Sequence, residues 1–547
     1  MAKQAKQSTF FGGVATLAVG VIIVKLIGAL YKIPLANVLG DEGNGYFTTA
    51  YNVYNVLLMI STAGLPVALS KTVSEANAVG RYNQVNRVFR VALYTFLTLG
   101  TLFTALMFLL AGPISAAIGS PGAYASMRAL APAVVFVCAM AAFRGFAQGH
   151  GDMRPTATSQ VIESALKLFI GLALAYLLAE QSVELAAAGA ILGVTIGAFI
   201  ALLFLILNYF RSYRRSQRLS DDVPQSNGTI LRTLVAIAIP ITISSSVSNI
   251  VSLLDNSLVL HQLQGQGMDY QTATALYGTY GTAVNLYNLP AALMIPFTAP
   301  LIPAVAACRN RRDHKGASRV AESGMRVGML LALPAGFGLC ALAGPISAML
   351  YPEYDLSITG PCTAILGIAS IFVCIMLLCN SILQAHGLVN LPIVIAVIGG
   401  VIKLAVNYTL VGNPSIGVVG AAVGTLCCFG AVAALDLFVL HRIVPAPPRM
   451  GRIFVKPVLA AAVMGLAAWA SHGLLARVLT AVGPFRSLTE GGEAVLSRLG
   501  GAVATLGGIG VGVIVYFVLI VLLQAISKDD LSLMPKGDKL AKLLRIR

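Results

Sequence analysis

AGPISA at residues 111–116 returns unchanged at residues 343–348. Further pairs follow in the same order at offsets near 232–237 residues: FVC at 136–138 and 372–374, QGHG at 148–151 and QAHG at 384–387, Pro155 and Pro392, VIESALKL at 161–168 and VIGGVIKL at 397–404. Chance similarity between apolar sequences explains stray Leu and Val matches, but not His, Pro, Gln and Lys in constant order. The chain therefore contains an internal repeat.

The composition of the chain is that of a membrane protein. Of 547 residues, 57% are hydrophobic and 11% are charged, and the mean hydropathy is +0.83. Soluble domains carry about a quarter charged residues, so a chain of this length could not cover a water-facing surface. The net charge of +16 comes mostly from residues between apolar runs, which fits membrane topology better than a nucleic-acid-binding surface.

A spanning helix needs about 20 predominantly apolar residues. Fourteen segments meet this condition: 9–36, 45–71, 85–112, 122–149, 155–180, 185–210, 229–257, 275–304, 319–343, 357–385, 388–412, 415–440, 452–478 and 500–525. The fold class predicted is therefore an all-α polytopic membrane protein with about 14 transmembrane helices.

The connections between these segments alternate in charge. Odd connections such as LGDEGNG (39–45) are acidic or uncharged, whereas even ones such as RSYRRSQR (211–218) and RNRRDHK (309–315) are basic. Basic loops stay in the cytoplasm, so both termini are predicted to be cytoplasmic. The last outer connection, about 477–499, holds three arginines and is the exception, but long loops weigh less in this rule.

The repeat offset covers six helices, an even number, so both copies have the same orientation in the membrane. This predicts two parallel six-helix lobes that rock around a cavity between them. The boundaries predicted are an N-lobe at 1–210, a cytoplasmic linker at 211–228, a C-lobe at 229–440, two further helices at 441–525 and a basic cytoplasmic tail at 526–547.

Motifs for catalysis are missing from the sequence. It has no P-loop, HExxH or GxSxG, and its eight cysteines follow neither metal-ligand nor disulfide spacing. We therefore expect no enzyme activity, catalytic residue, metal or cofactor, and a membrane potential or ion gradient as the driving force.

Charged residues inside apolar segments mark the candidate cavity, because a charge in a bilayer is costly. Lys25 lies midway along the first segment and is expected to line the cavity, whereas Lys32 either lines it or reaches the outer headgroups. Lys167 and Lys403 occupy equivalent places in the two lobes. Lys403 has Gly399 where the first lobe has Glu163, so it lacks that local partner.

The acidic residues are fewer: Glu163, Asp255 and Asp436. Glu163 and Lys167 are four residues apart, so either they neutralise each other or Lys167 faces the cavity. Arg144 is expected to reach the cytoplasmic interface. Asp255, with Asn256, either faces the cavity, binds a cation or caps a helix irregularity. A cavity with more Lys than Asp and Glu attracts anions such as pyrophosphate.

The stretches VKLIGALYKIPLANVLGDEGNGYF (24–47) and YNVYNVLLMISTAGLPVALSKTVSE (51–75) resemble the opening of the stage V sporulation protein B and Gram-positive MurJ-like group. That group belongs to the polysaccharide-transporter branch of the MOP superfamily, which also holds the MATE exporters. The resemblance implies a V-shaped, alternating-access flippase with two extra C-terminal helices that border a groove for the lipid tail. It implies a basic cavity role for Lys25, with the next basic family position at Tyr31 beside Lys32. A third basic family position falls near Leu58, which is apolar.

The function expected is export of an undecaprenyl-pyrophosphate-linked saccharide, with lipid II as leading cargo, across the bacterial plasma membrane. The substrate-binding residues predicted are Lys25, Tyr31, Lys32, Asn55, Lys167, Asp255 and Lys403. The partners expected are the polyprenyl-linked substrate, the bilayer and cell-wall synthesis machinery, with no nucleic acid and a monomeric chain. Two alternatives remain: a MATE-type exporter of organic cations coupled to H⁺ or Na⁺, and a membrane enzyme acting on the same lipid-linked sugars.

Overall fold

The computed structural model describes residues 2–213, 220–388, 390–444, 447–481, 486–488 and 494–524. Within these ranges the chain is almost entirely α-helical, and eleven helices are long and apolar enough to cross a membrane. It divides into two compact units, Met1–Gly278 and Thr279–Arg547. The predicted boundaries of the two lobes and their linker stay a prediction, and the predicted tail at 526–547 lies outside the described residues.

The first unit contains eight helices that begin in it and end before Gly278. They are α1 (Ala2–Thr62), α2 (Leu65–Ala78), α3 (Tyr82–Leu109), α4 (Ala111–Ile118), α5 (Tyr124–Gly149), α6 (Arg154–Ala179), α7 (Val183–Asn208) and α8 (Asn227–Gly265). A short 3₁₀ turn, Pro121–Ala123, precedes α5, and a π-helical turn, Tyr209–Tyr213, follows α7.

The remaining helices belong wholly or mainly to the second unit. They are α9 (Tyr270–Asn310), α10 (His314–Ala341), α11 (Ala343–Leu350), α12 (Leu356–Ala385), α13 (Leu391–Val411), α14 (Val419–Ile443), α15 (Met450–Thr480) and α16 (Arg498–Leu522). Between α15 and α16 lie two short antiparallel strands, β1 (Arg486–Leu488) and β2 (Ala494–Leu496).

Each of the fourteen predicted spans coincides with a long helix, provided that α1 is counted twice. The helix is broken at Gly40, whose φ of 68° and ψ of −173° are open to glycine but essentially closed to other residues. A straight helix would separate Tyr31 from Phe47 by about 24 Å, yet their ring centroids are 6.4 Å apart. The chain therefore doubles back at Gly40, and one residue makes the turn where the sequence predicts a seven-residue connection.

The internal repeat is visible as repeated local structure. AGPISA forms the start of an eight-residue helix in both units, α4 and α11. The long helix that follows each one ends in the same way. The ring Nδ1 of its last histidine, His150 or His386, lies within hydrogen-bond distance of the carbonyl oxygen four residues earlier, at 3.0 and 2.9 Å respectively. The next residue is a glycine with positive φ, Gly151 (79°) or Gly387 (82°).

A set of hydrogen bonds ties the segment before α8 to the start of α3. The Asp222 carboxylate accepts from the backbone N–H groups of Asn83 and Gln84, at 2.9 Å each. It therefore caps the N-terminus of α3, where N–H groups lack helical partners. Arg81 approaches the same carboxylate to 3.8 Å and donates to the Val223 carbonyl. We call this group of contacts the linker clasp.

Candidate functional site

Lys167 lies on α6, within a predicted membrane span, and its ammonium group contacts tyrosines of α1. The Nζ atom donates a hydrogen bond of 2.9 Å to the Tyr51 hydroxyl. It also lies 4.6 Å from the centroid of the Tyr51 ring and 4.9 Å from that of Tyr31. Both distances suit a cation–π interaction, in which the negative ring face attracts the cation.

The tyrosines belong to an aromatic row that the bend of α1 assembles. Phe47, Tyr51 and Tyr54 follow at spacings of four and three residues, which places them on one helical face. Phe47 stacks on Tyr51 at 5.3 Å, and Tyr51 meets Tyr54 edge-on at 5.6 Å. Tyr31 joins them from the part of α1 before Gly40. Lys167 and these four residues form what we call the lysine cage.

Tyr31 is fixed in place by α6 and α7. It is only 1% exposed, and its hydroxyl donates to the Ala190 carbonyl at 3.3 Å. The space for this contact exists because residue 171 is glycine: a Cβ there would lie 2.9 Å from the Ala190 oxygen and 3.0 Å from the Tyr31 hydroxyl. The ring that holds Lys167 therefore depends on the close approach of α6 and α7.

Glu163 does not neutralise Lys167, although it lies one helical turn away. Arg144 of α5 donates to the Glu163 carboxylate at 3.0 Å and, through Nε, to the Ser159 hydroxyl at 2.9 Å. Their side chains are only 14% and 25% exposed. Arg144 thus binds two side chains of α6, and the expectation that it reaches the cytoplasmic interface stays a prediction.

These contacts leave Lys167 with neutral partners only, among the residues described. Ring faces and a hydroxyl stabilise an ammonium group without cancelling its charge. The field in front of Lys167 therefore stays positive, and such a group can attract an anion by Coulomb interaction in a low-dielectric setting.

The other predicted site residues are spread over the molecule. Lys25 lies within α1, but its side chain lies outside the described part of the structure. Lys32, the neighbour of Tyr31, is exposed, and Asn55 is half-buried one residue beyond Tyr54. Lys403 is half-buried on α13 of the second unit. Two of the seven predicted residues, Tyr31 and Lys167, lie in contact with each other, with the ammonium group 4.9 Å from the ring centroid.

Asp255 lies on α8 in the first unit and is 3% exposed. Its neighbour Asn256 is fully buried and exchanges hydrogen bonds with Thr49 of α1, at 3.2 and 3.5 Å. Asn52, one turn further along α1, donates to the Tyr277 hydroxyl at 3.4 Å. These contacts form a polar seam between α1 and the helices after the linker. In the described ranges, no three His, Cys, Asp or Glu residues are grouped closely enough to hold a metal ion.

Sequence reasoning missed Phe47, Tyr51 and Tyr54 as members of the site. Their spacing on one face of the predicted second span was the available signal. It could not assign them a partner, because the contact with Lys167 depends on how α1 packs against α6.

Comparison with known proteins fits this architecture. Residues 10–308, more than half of the chain, match the model of the family described as polysaccharide biosynthesis protein. The chain belongs to this family. The resemblance noted in the opening motifs predicts the same group, and that prediction is confirmed.

Three relatives from Bacillus subtilis (strain 168) are similar over most of their length. An uncharacterized membrane protein, YabM, is 25% identical over 99% of this chain and 98% of its own. Stage V sporulation protein B is 24% identical over 81% and 85%, and the lipid II flippase MurJ is 25% identical over 74% and 78%.

Two solved structures share the fold. The lipid II flippase MurJ, in an inward closed conformation, superposes with a TM-score of 0.68 over 93% of this chain and 98% of its own, at 12% identity. An inward-facing MATE family multidrug resistance transporter of the MOP superfamily gives 0.65 over 78% and 96%, at 17% identity. The all-α, MOP-type membrane fold predicted from the sequence is confirmed. The chain is a multi-pass membrane protein with this fold.

Proposed function

We propose that the chain is a flippase that moves an undecaprenyl-pyrophosphate-linked saccharide from the inner to the outer leaflet of the bacterial plasma membrane by alternating access, with lipid II as the leading cargo. The observation that carries the proposal is the Lys167 ammonium group, held within a spanning helix by Tyr31 and Tyr51 rather than by a carboxylate.

A lysine at this depth is costly, and such residues commonly line a substrate path. The lysine cage keeps the charge in place while leaving it uncompensated. A pyrophosphate group is the matching ligand, because an ammonium group binds phosphate oxygens as a compact point charge. The relative named as a lipid II flippase and the family described by polysaccharide biosynthesis support a lipid-linked saccharide as the cargo.

A MATE-type exporter of organic cations is the other candidate with this fold, and the lysine cage argues against it. Aromatic ring faces are the groups that bind organic cations. Here the faces of Tyr31 and Tyr51 are occupied by the protein's own cation. A substrate cation would also meet repulsion from Lys167. We therefore expect drug susceptibility to be unchanged when the protein is removed.

The test is the accessibility of lipid II in the outer leaflet of cells in which this protein alone can be depleted. We expect depletion to lower the accessible lipid II, and expression of the wild-type chain to restore it. Lys167→Gln should fail to restore it, whereas Lys167→Arg, which keeps the charge, should restore part. Lys71→Gln is the matched control, because Lys71 is exposed and lies 4.0 Å from Glu75.

Lys25→Ala and Lys403→Ala extend the same assay to the two other predicted cavity lysines. Full rescue by Lys167→Gln would contradict the role given to the lysine cage while leaving the flippase intact. Unchanged lipid II on depletion would contradict lipid II as cargo, and the assay would then be repeated with other polyprenyl-linked glycans. The predicted cytoplasmic termini, the monomeric state and an association with cell-wall synthesis machinery stay predictions.

A further inference from the structure

Asp436 lies in α14 of the second unit and has no part in the lysine cage. Its side chain is 0% exposed. Neither carboxyl oxygen has a hydrogen-bond partner among the residues that the structure describes. Buried polar atoms are nearly always paired, so two unpaired oxygens on one side chain require an explanation.

The surroundings of Asp436 are apolar. Ala433 and Leu440, one turn to either side on α14, belong to a buried cluster that includes Leu378 and Cys379 of α12. Cys379 is itself fully buried, and its thiol interacts electrostatically with Asp436. In these surroundings an ionised Asp436 carboxylate would have no water to solvate it, and a thiol would be its strongest hydrogen-bond donor.

Helices α9, α12 and α13 pack against α14, and none of their described groups pairs with Asp436. Helix α9 meets α14 through Tyr280 and Tyr287, and its Arg309 donates to the Ala385 carbonyl at 3.2 Å. Helix α12 has no charged residue, and its titratable groups are the thiols of Cys362, Cys374 and Cys379. Helix α13 has Lys403 and Tyr408. The Lys403 backbone lies beside Gly424, twelve residues before Asp436 and thus about 18 Å away along α14.

The remaining nearby charges are already engaged. On α14 itself, Arg442 lies against the Phe438 ring, 5.6 Å from its centroid, and His441 is at the helix end. Helix α10, which shares the apolar cluster, has an internal ion pair between Arg326 and Glu322 at 2.9 Å. An unpaired carboxylate in such a place costs far more than a neutral carboxyl group.

We infer that Asp436 is a proton-binding site: it holds a proton while α12 and α14 are packed together, and it ionises when that contact opens to water. On opening, the carboxyl O–H bond breaks, the proton passes to a water oxygen, and the carboxylate stays on the chain. Asp436 precedes the end of α14 at Ile443 by seven residues, about 10 Å, so that end offers the short route for water. Opening of this helix pair is thereby linked to proton release, and packing to proton uptake.

The bound proton can be tested by infrared spectroscopy on the purified full-length protein, because the C=O stretch of a protonated carboxyl group is distinct from that of a carboxylate. We expect a protonated-carboxyl band at about pH 7 that is lost in Asp436→Asn. It should persist in Asp269→Asn, which changes an exposed loop carboxylate. A band that survives in Asp436→Asn would overturn the inference.

The link to opening can be tested by labelling Cys379 with a maleimide in membranes, with each site read by mass spectrometry. Cys374, buried on the same helix, corrects for ionisation of the thiols themselves. From about pH 6 to about pH 9, we expect the ratio of Cys379 to Cys374 labelling to rise several-fold in the wild-type protein and to stay flat in Asp436→Asn. Equal pH dependence in both proteins would contradict the link. Neither experiment depends on the identity of the transported cargo.

Discussion

Glu163 and Lys167 are one helical turn apart on α6, yet Glu163 is bound to Arg144 of α5 and Lys167 to Tyr51 of α1. A local Glu–Lys pair on an isolated helix is worth only about 0.2–0.5 kcal/mol. The part-buried guanidinium of Arg144 can form two parallel hydrogen bonds to a carboxylate, so its interaction with Glu163 is stronger than such a local pair. Arg144 thus engages Glu163, the carboxylate one helical turn from Lys167 that could otherwise cancel its charge.

Arg144→Gln should therefore impair transport even though Arg144 touches no substrate in the proposed mechanism. The freed Glu163 would turn to Lys167 and cancel its charge. We expect a loss on the order of tenfold, the equivalent of about 1.4 kcal/mol, in the lipid II accessibility assay. Arg128→Gln, on the same helix but against the exposed Tyr124 and Phe108 rings, is the control.

The double variant Arg144→Gln with Glu163→Gln distinguishes two reasons for the loss: cancellation of the Lys167 charge by Glu163, and a loss of local stability. Because it removes the competing carboxylate as well, it should recover most of the activity. If the double variant is as impaired as the single one, Arg144 acts through local stability, and the charge-shielding explanation is wrong.

At the scale of the element, α1 depends on one glycine. A residue with a Cβ at position 40 would have to adopt a φ of 68° and ψ of −173°. This backbone conformation costs a residue other than glycine about 1–3 kcal/mol. We expect Gly40→Ala to lower the thermal unfolding temperature in detergent. Gly28→Ala, also in α1 but with open space around the new Cβ, should be neutral or slightly stabilising. Equal stability of the two variants would refute the role of the bend.

The linker clasp makes a second prediction at this scale. Burial alone would raise the pKa of Asp222, but hydrogen bonds from Ser220, Asn83 and Gln84, together with Arg81, hold that pKa below its usual value. A depressed pKa means that the stabilisation is present above the unfolded-state pKa, about 3.9. It is lost as the pH falls through the folded-state pKa.

Asp222→Asn should remove this contribution at neutral pH. The measurement is hydrogen exchange at the backbone amides of Asn83 and Gln84, the two donors to the carboxylate. We expect faster exchange at both amides in Asp222→Asn and no change in Asp221→Asn, its exposed neighbour. If the two variants exchange alike, the carboxylate does not cap α3 in solution.

At the scale of the whole molecule, the proposed cargo is an anion that is exported from the cytoplasm, the negative side of the membrane potential. The membrane potential then favours export by about 2.3 kcal/mol per charge per 100 mV. We expect transport in sealed vesicles to slow when an ionophore collapses the potential, at constant pH on both sides. Rates that do not change would show that export is driven otherwise, and the proton site at Asp436 would become the first alternative to test.

How far the sequence predicts this molecule differs between the fold and the site. A long helix lies at each of the fourteen predicted segments, because apolar length alone selects a membrane helix. The seven-residue connection predicted after the first span is wrong, since nothing local reveals that Gly40 alone makes the turn. The i,i+4 spacing suggested a Glu163–Lys167 pair, but the choice between partners on α6, α5 and α1 is made by tertiary packing, which periodicity does not encode.

The two His–Gly helix ends, at 150–151 and 386–387, stand at equivalent positions of the internal repeat. In both copies a short AGPISA helix comes first, and an imidazole followed by a left-handed glycine ends the next long helix. Transplanting residues 148–151 into positions 384–387 changes one residue, Ala385 to glycine, so we expect the second copy to fold with the helix end of the first.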